Sequence, residues 1–108
     1  MYLYYAIFTP SAGQFAIEFP DLEGAFSCGE DMDEALYMAK DLLEGWLITA
    51  EEEGDPIPAP SLPDDLLVPE DALLLPIEVD LDQAKEKHFL SGEWVWLFLE
   101  QDKYILSI

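Results

Sequence analysis

The sequence predicts an α+β domain: an antiparallel β-meander and a returning edge strand packed on one long helix, in the order βββαβ, with a short helix and a β-hairpin at the carboxyl end. Three observations carry this reading. Apolar residues alternate with period two in short runs between residues 2 and 28, as half-buried strands require. After Asp31 the spacing switches to three and four residues, the signature of an amphipathic helix. A proline-rich stretch then leads into a further apolar run at residues 72–81.

Residues 2–8 (YLYYAIF) are rich in β-formers on both faces, with Tyr2, Tyr4, Ala6 and Phe8 on one and Leu3, Tyr5 and Ile7 on the other. A strand of this kind belongs at the centre of a sheet, with the helix on one face and a second subunit a candidate for the other. Pro10-Ser11-Ala12-Gly13 supplies turn chemistry. Phe15, Ile17 and Phe19 then alternate with Ala16 and Glu18, and Pro20, which has no N–H to donate, ends that strand. Asp21-Leu22-Glu23-Gly24 makes a corner, and residues 25–28 form a short third strand.

Asp31 is placed to cap the helix, and Glu34, three residues on, to reach back in a capping box worth about 1 kcal/mol. Met32, Ala35, Leu36, Ala39, Leu42, Leu43, Trp46, Leu47 and Ala50 define the stripe expected to be buried on the sheet. Glu51, Glu52 and Glu53 crowd the negative pole of the helix dipole, where lysine is favoured. They read either as an acidic lip for a basic partner or as a solvated last turn. Gly54 stops the helix, and Pro56, Pro58, Pro60, Pro63 and Pro69 make the connector extended and semi-rigid. Pro76 assigns the fourth strand, residues 72–81, to an edge. Residues 81–90 fit one short helix. In the terminal segment Trp94, Trp96 and Phe98 alternate with Val95, Leu97 and Leu99, so both faces of the expected hairpin are apolar; it either packs in the core or serves self-association, and large apolar patches favour the latter. Residues 1–90 are thus read as a partner-binding unit, and 91–108 as an oligomerisation hairpin of the same domain.

With 24 Asp plus Glu against 4 Lys plus Arg, the formal net charge is -20. Such a field repels phosphate backbones and steers basic partners inward. The four cations, Lys40, Lys85, Lys87 and Lys103, are scattered, and no arginine is present for bidentate base contacts. Nucleic-acid readout is therefore not expected. Cys28 is the only cysteine, which rules out an intramolecular disulfide and makes a cytoplasmic address the default; no stretch reads as a signal peptide or membrane span.

A nucleophile needs a base beside it, and His88, the only histidine, lies far along the chain from Cys28. Cys28 reads as a small buried hydrophobe and His88 as a surface residue. Glu18, Asp21, Glu23, Glu30, Glu78 and Asp80 supply raw material for a magnesium site, but in so acidic a chain such residues recur by chance. No zinc, phosphate-loop or metalloprotease motif is present, so no cofactor, metal or catalytic activity is expected. Recognition of another protein remains. The candidate contact residues are Glu18, Asp21, Glu23, Glu30, Glu51, Glu52 and Glu53, with Trp94, Trp96 and Phe98 for self-association.

The sequence EFPDLEGAFSCGEDMDEALYMAKDLLEGWL, followed by GDPIPAPS, resembles the HicB antitoxin family. The likeness lies in the F-P-D-L-x-G corner at residues 19–24, the glycine, acidic cap and Glu-Ala helix start at 29–35, and the G-x-P-I-P-x-P-S exit at 54–61. It covers about the first three quarters of the chain. The resemblance implies a partial ribonuclease-H-like fold without a working nuclease centre, which binds and blocks HicA, a small basic ribonuclease that degrades messenger RNA. Family members commonly continue into a ribbon-helix-helix or helix-turn-helix module. Here the chain ends in residues 94–108 instead, so direct DNA binding is not expected. The alternative is a free-standing acidic interaction module, or nucleic-acid mimic, with no toxin.

Overall fold

The computed structural model describes residues 1–91, and side chains as far as residue 87. β1 (Tyr2–Ser11), β2 (Gln14–Glu18) and β3 (Phe26–Gly29) are followed by helix α1 (Met32–Glu53), a short 3-10 turn at Pro63–Asp65, β4 (Leu73–Val79) and helix α2 (Leu81–Ser91). The four strands form one antiparallel sheet in the order β3-β2-β1-β4. The α+β class and the βββαβ order are as expected, with β1 central and Pro76 on an edge strand opposite Tyr5. The expected terminal hairpin, with Trp94, Trp96 and Phe98, lies outside the described residues.

The β1–β2 joint is tighter than the turn residues suggest. Pairing continues to Ser11 opposite Gln14, and only Ala12 (φ 51°) and Gly13 (φ 80°) form the turn. Two left-handed residues in succession match the twist of a two-residue hairpin. Pro10 is tolerated inside β1 because pairing with β4 stops at Phe8, so no ladder is lost on that side.

The core lies between the sheet and α1. Tyr4, Ala6 and Phe8 of β1, Ile17 of β2, and Ile77 and Val79 of β4 meet Ala35, Ala39, Leu43, Leu47 and Ile48 of α1, all buried. Each large side chain so covered contributes roughly 1.5–3 kcal/mol. The buried stripe differs from the expected one at its margins. Leu36 is 40% exposed and Leu42 and Trp46 are half-buried, whereas Ile48 and Glu44 are buried. α2 is responsible for part of this: it packs on α1, and Lys87 reaches Glu44 at 2.6 Å. That contact holds the Lys87 ammonium above the ordinary lysine pKa, burial opposing the effect.

Cys28, expected to be buried, is exposed. On the short edge strand β3 the alternation gives the helix-facing position to Gly29, leaving Phe26 and Cys28 on the other face. Gly29 is itself required there: a Cβ at this position would lie 2.6 Å from both N and Cα of Ala35. The start of α1 therefore rests directly on β3 backbone.

Candidate protein-docking surface

α1 carries the surface features nearest to a site, and its two ends are built differently. At the amino end the Asp31 carboxylate accepts the Glu34 N–H at 2.8 Å, and the Glu34 carboxylate accepts the Glu30 N–H at 2.6 Å. This is the anticipated capping box with its return bond one residue earlier than the cap. At the carboxyl end Gly54 turns left-handed (φ 71°), and the N–H groups of Gly54 and Asp55 reach the carbonyls of Glu51 and Ala50 at 3.2 and 2.9 Å. No basic residue lies in the last turn, but Lys85 of α2 pairs with Glu51. The Lys85 pKa is raised, first by that hydrogen bond.

Between the strands and the helix sits the corner, closed by backbone bonds among Phe19, Leu22 and Ala25. Its Asp21 is a staple: the carboxylate accepts both the N–H and the hydroxyl of Ser61, at 2.7 and 2.6 Å. The Tyr4 hydroxyl donates to the Pro58 carbonyl, pinning the same connector from the sheet side. Burial, reinforced by the fields of Tyr2 and Asp21, pushes the Tyr4 pKa up.

The seven candidate contact residues do not form one patch. Glu18 alternates with buried Ile17 and Phe19 and so lies on the sheet face away from α1. Glu30 stands just before the helix, about 30 Å along the axis from Glu51, Glu52 and Glu53 at its far end. Glu52 and Glu53 are exposed, Glu51 is paired, and Asp21 is half-buried in its bonds to Ser61. Glu23 borders a concavity. There a groove of about 760 Å³ runs between the corner, the side of α1 and the helix exit, lined by Glu23, Asp41, Leu42, Gly45, Trp46, Thr49, Ala50, Asp55 and Pro56. The Trp46 indole N–H donates to the Glu23 carbonyl at 3.0 Å, which fixes the ring at the groove wall.

Sequence reasoning assigned Trp46 to the core stripe and passed over Gly45, Asp41 and Asp55. The available signal was a glycine in mid-helix, one turn from both Asp41 and Thr49. Among the described residues no group of three or more His, Cys, Asp or Glu is placed to hold a metal ion, and no helix is long and apolar enough to cross a membrane.

The profile of a family described as HicB-like antitoxin of bacterial toxin-antitoxin systems matches residues 4–90. Solved structures share the fold. A toxin-antitoxin complex from Streptococcus pneumoniae aligns with a TM-score of 0.68 at 20% identity, over 75% of this chain and 70% of that one. The Burkholderia pseudomallei antitoxin HicB aligns at 0.66 and 20% identity, over 95% of this chain and 87% of that one. A chain of a HicA3 and HicB3 toxin-antitoxin complex aligns at 0.60 and 22% identity, over 72% and 98%. None of the curated proteins matches.

Proposed function

The chain belongs to the HicB-like antitoxin family of bacterial toxin-antitoxin systems, and we propose that it binds a small basic HicA-type messenger-RNA ribonuclease and neutralises it by covering its active site. The family match over residues 4–90 carries this reading. The net charge of -20 supports it, since an acidic protein covering a basic nuclease gains both steering and register from opposite fields. Such a role needs no chemistry from this chain: it acts by occlusion, and the carboxylates serve as surface charge rather than as ligands. Residues 1–90 are the partner-binding unit of this proposal, and the apolar segment 91–108 supports a homo-oligomer.

The test is a messenger-RNA cleavage assay with any small basic protein encoded beside this chain. Equimolar antitoxin is expected to abolish cleavage, and the two proteins to co-purify. Their association rate is expected to fall by about an order of magnitude as salt rises to about 0.5 M, because the steering field is screened. Undiminished cleavage, or the lack of any adjacent basic partner, would select the free-standing acidic module instead.

A further inference from the structure

Most glycines of this fold have a local reason. Gly29 yields to the Ala35 backbone, and Gly13, Gly24 and Gly54 adopt left-handed φ. Gly45 has neither: it sits within α1 in ordinary helical backbone, and a Cβ built on it would meet nothing within 4 Å. A glycine in a helix interior is the least favourable residue there after proline. What its missing side chain does is leave the floor of the groove open.

The walls around that floor have a consistent chemistry. Of the residues lining the groove, Glu23, Asp41 and Asp55 are carboxylates and none is a base. Asp41 lies in the field of Lys87 and has one carboxylate oxygen buried, so Glu23 and Asp55, both exposed, are the carboxylates the groove presents to solvent. Leu42, Ala50 and Pro56 present apolar surface, and Trp46 is held at the wall by its bond to the Glu23 carbonyl. An aliphatic stem against apolar wall, a cation near an indole and carboxylates at the rim are what a long basic side chain requires. A volume of about 760 Å³ lies within the range of sites that enclose a whole ligand, so the backbone carrying the side chain has room to approach.

We propose that this groove, floored by Gly45, walled by Leu42 and Trp46 and rimmed by Glu23 and Asp55, seats a lysine or arginine side chain presented by a basic protein partner. The proposal rests on the antitoxin reading for the partner's identity, but the groove itself is tested without any toxin. The full-length, nitrogen-15-labelled protein is titrated with a capped tetra-arginine peptide while the Trp46 indole N–H signal, assigned through Trp46→Phe, is followed. A saturable shift is expected, with no response to capped tetra-glutamate. Gly45→Leu fills the floor without altering net charge and is expected to weaken peptide binding at least tenfold.

If Gly45→Leu does not fold, charge placement decides. Glu23→Gln with Asp55→Asn is expected to weaken binding at least tenfold, whereas Asp64→Asn with Glu70→Gln, equal in charge and outside the groove, is expected to change it less than twofold. Equal losses in the two double variants, an unmoved Trp46 signal, or wild-type binding by folded Gly45→Leu would each overturn the proposal. Toxin affinity untouched by the groove variants would also overturn it, while leaving the antitoxin reading intact.

Discussion

The two ends of α1 solve opposite problems. The amino end is locked: Asp31 and Glu34 satisfy backbone N–H groups that would otherwise lack partners, Asp33 and Glu34 face the positive pole of the dipole, and Ala35 rests on Gly29. The carboxyl end gathers Glu51, Glu52 and Glu53 at the negative pole, offset by Lys85 from another helix and by the Gly54 turn. One end is shaped by packing and hydrogen bonding. The other keeps charge where stability alone would remove it, and it borders the groove through Ala50 and Asp55. The contrast separates the end of this helix that packing and hydrogen bonding hold from the end that keeps exposed charge.

The largest expected effect is therefore at the amino end. Gly29→Ala would place a methyl 2.6 Å from Ala35 backbone atoms, which no rotamer change can relieve. Overpacking of this kind costs about 1–3 kcal/mol, and because the obstructing atoms are backbone the upper part of that range is expected in urea melts. An unchanged midpoint would mean that α1 can lift from β3 without penalty. Asp31→Ala comes next: loss of the cap is expected to cost about 1 kcal/mol, with a smaller cost for Asp31→Ser, which retains an acceptor. Equal losses for the two variants would assign the effect to charge rather than to capping.

The contrast between the ends also marks what could be read without coordinates. The locked end was legible because its causes are local: Asp31 and Glu34 are three residues apart, and the alternation of Phe15, Ile17 and Phe19 stops at Pro20. The same holds for β4, where Pro76 placed the strand on an edge. Errors fall where a second element decides. Glu44 is buried because α2 arrives over it, Leu36 is exposed at the margin of the contact, and Cys28 faces outward because Gly29 takes the helix side of β3. Pro10 read as a break because the sequence does not show that β4 pairing ends at Phe8.

The candidate site was less legible than the fold. Acidity was plain, but its distribution was not, because Glu18, Glu30 and Glu51 are separated by sheet and helix geometry. Asp21 carries the charge of a contact residue yet is engaged by Ser61, forty positions away. The groove joins Glu23, Gly45 and Asp55 from three elements, and only Gly45 left a trace in the pattern.

At the carboxyl end the expected effects are smaller and of opposite sign. Glu52→Lys replaces an exposed acid near the negative pole by a favourable cation, which is expected to stabilise the fold by about 0.3–1 kcal/mol at low salt and less at high salt. If these acids serve recruitment, the same variant should slow toxin association while raising the melting temperature. Slower association without added stability would mean that the dipole penalty is already relieved by Lys85 and Gly54.

The smallest expected effect is on alkaline stability. Tyr4 and Lys87 both have folded pKa values raised above their ordinary ones, Tyr4 chiefly through burial and Lys87 chiefly through its bond to Glu44. A group whose proton is held more tightly in the folded state contributes stability that is complete below its unfolded pKa and is lost as pH climbs through the folded value. For a tyrosine and a lysine that window opens at about pH 10. The melting temperature is thus expected to hold from pH 7 to 9 with respect to these two groups and to decline above about pH 10. Lys87 is half exposed, so solvent screens its share, and Tyr4→Phe should flatten most of the decline while lowering the neutral-pH baseline through loss of the bond to Pro58. A decline equally steep in Tyr4→Phe would move the alkaline sensitivity from the sheet side of the connector to the pairing of α2 with α1.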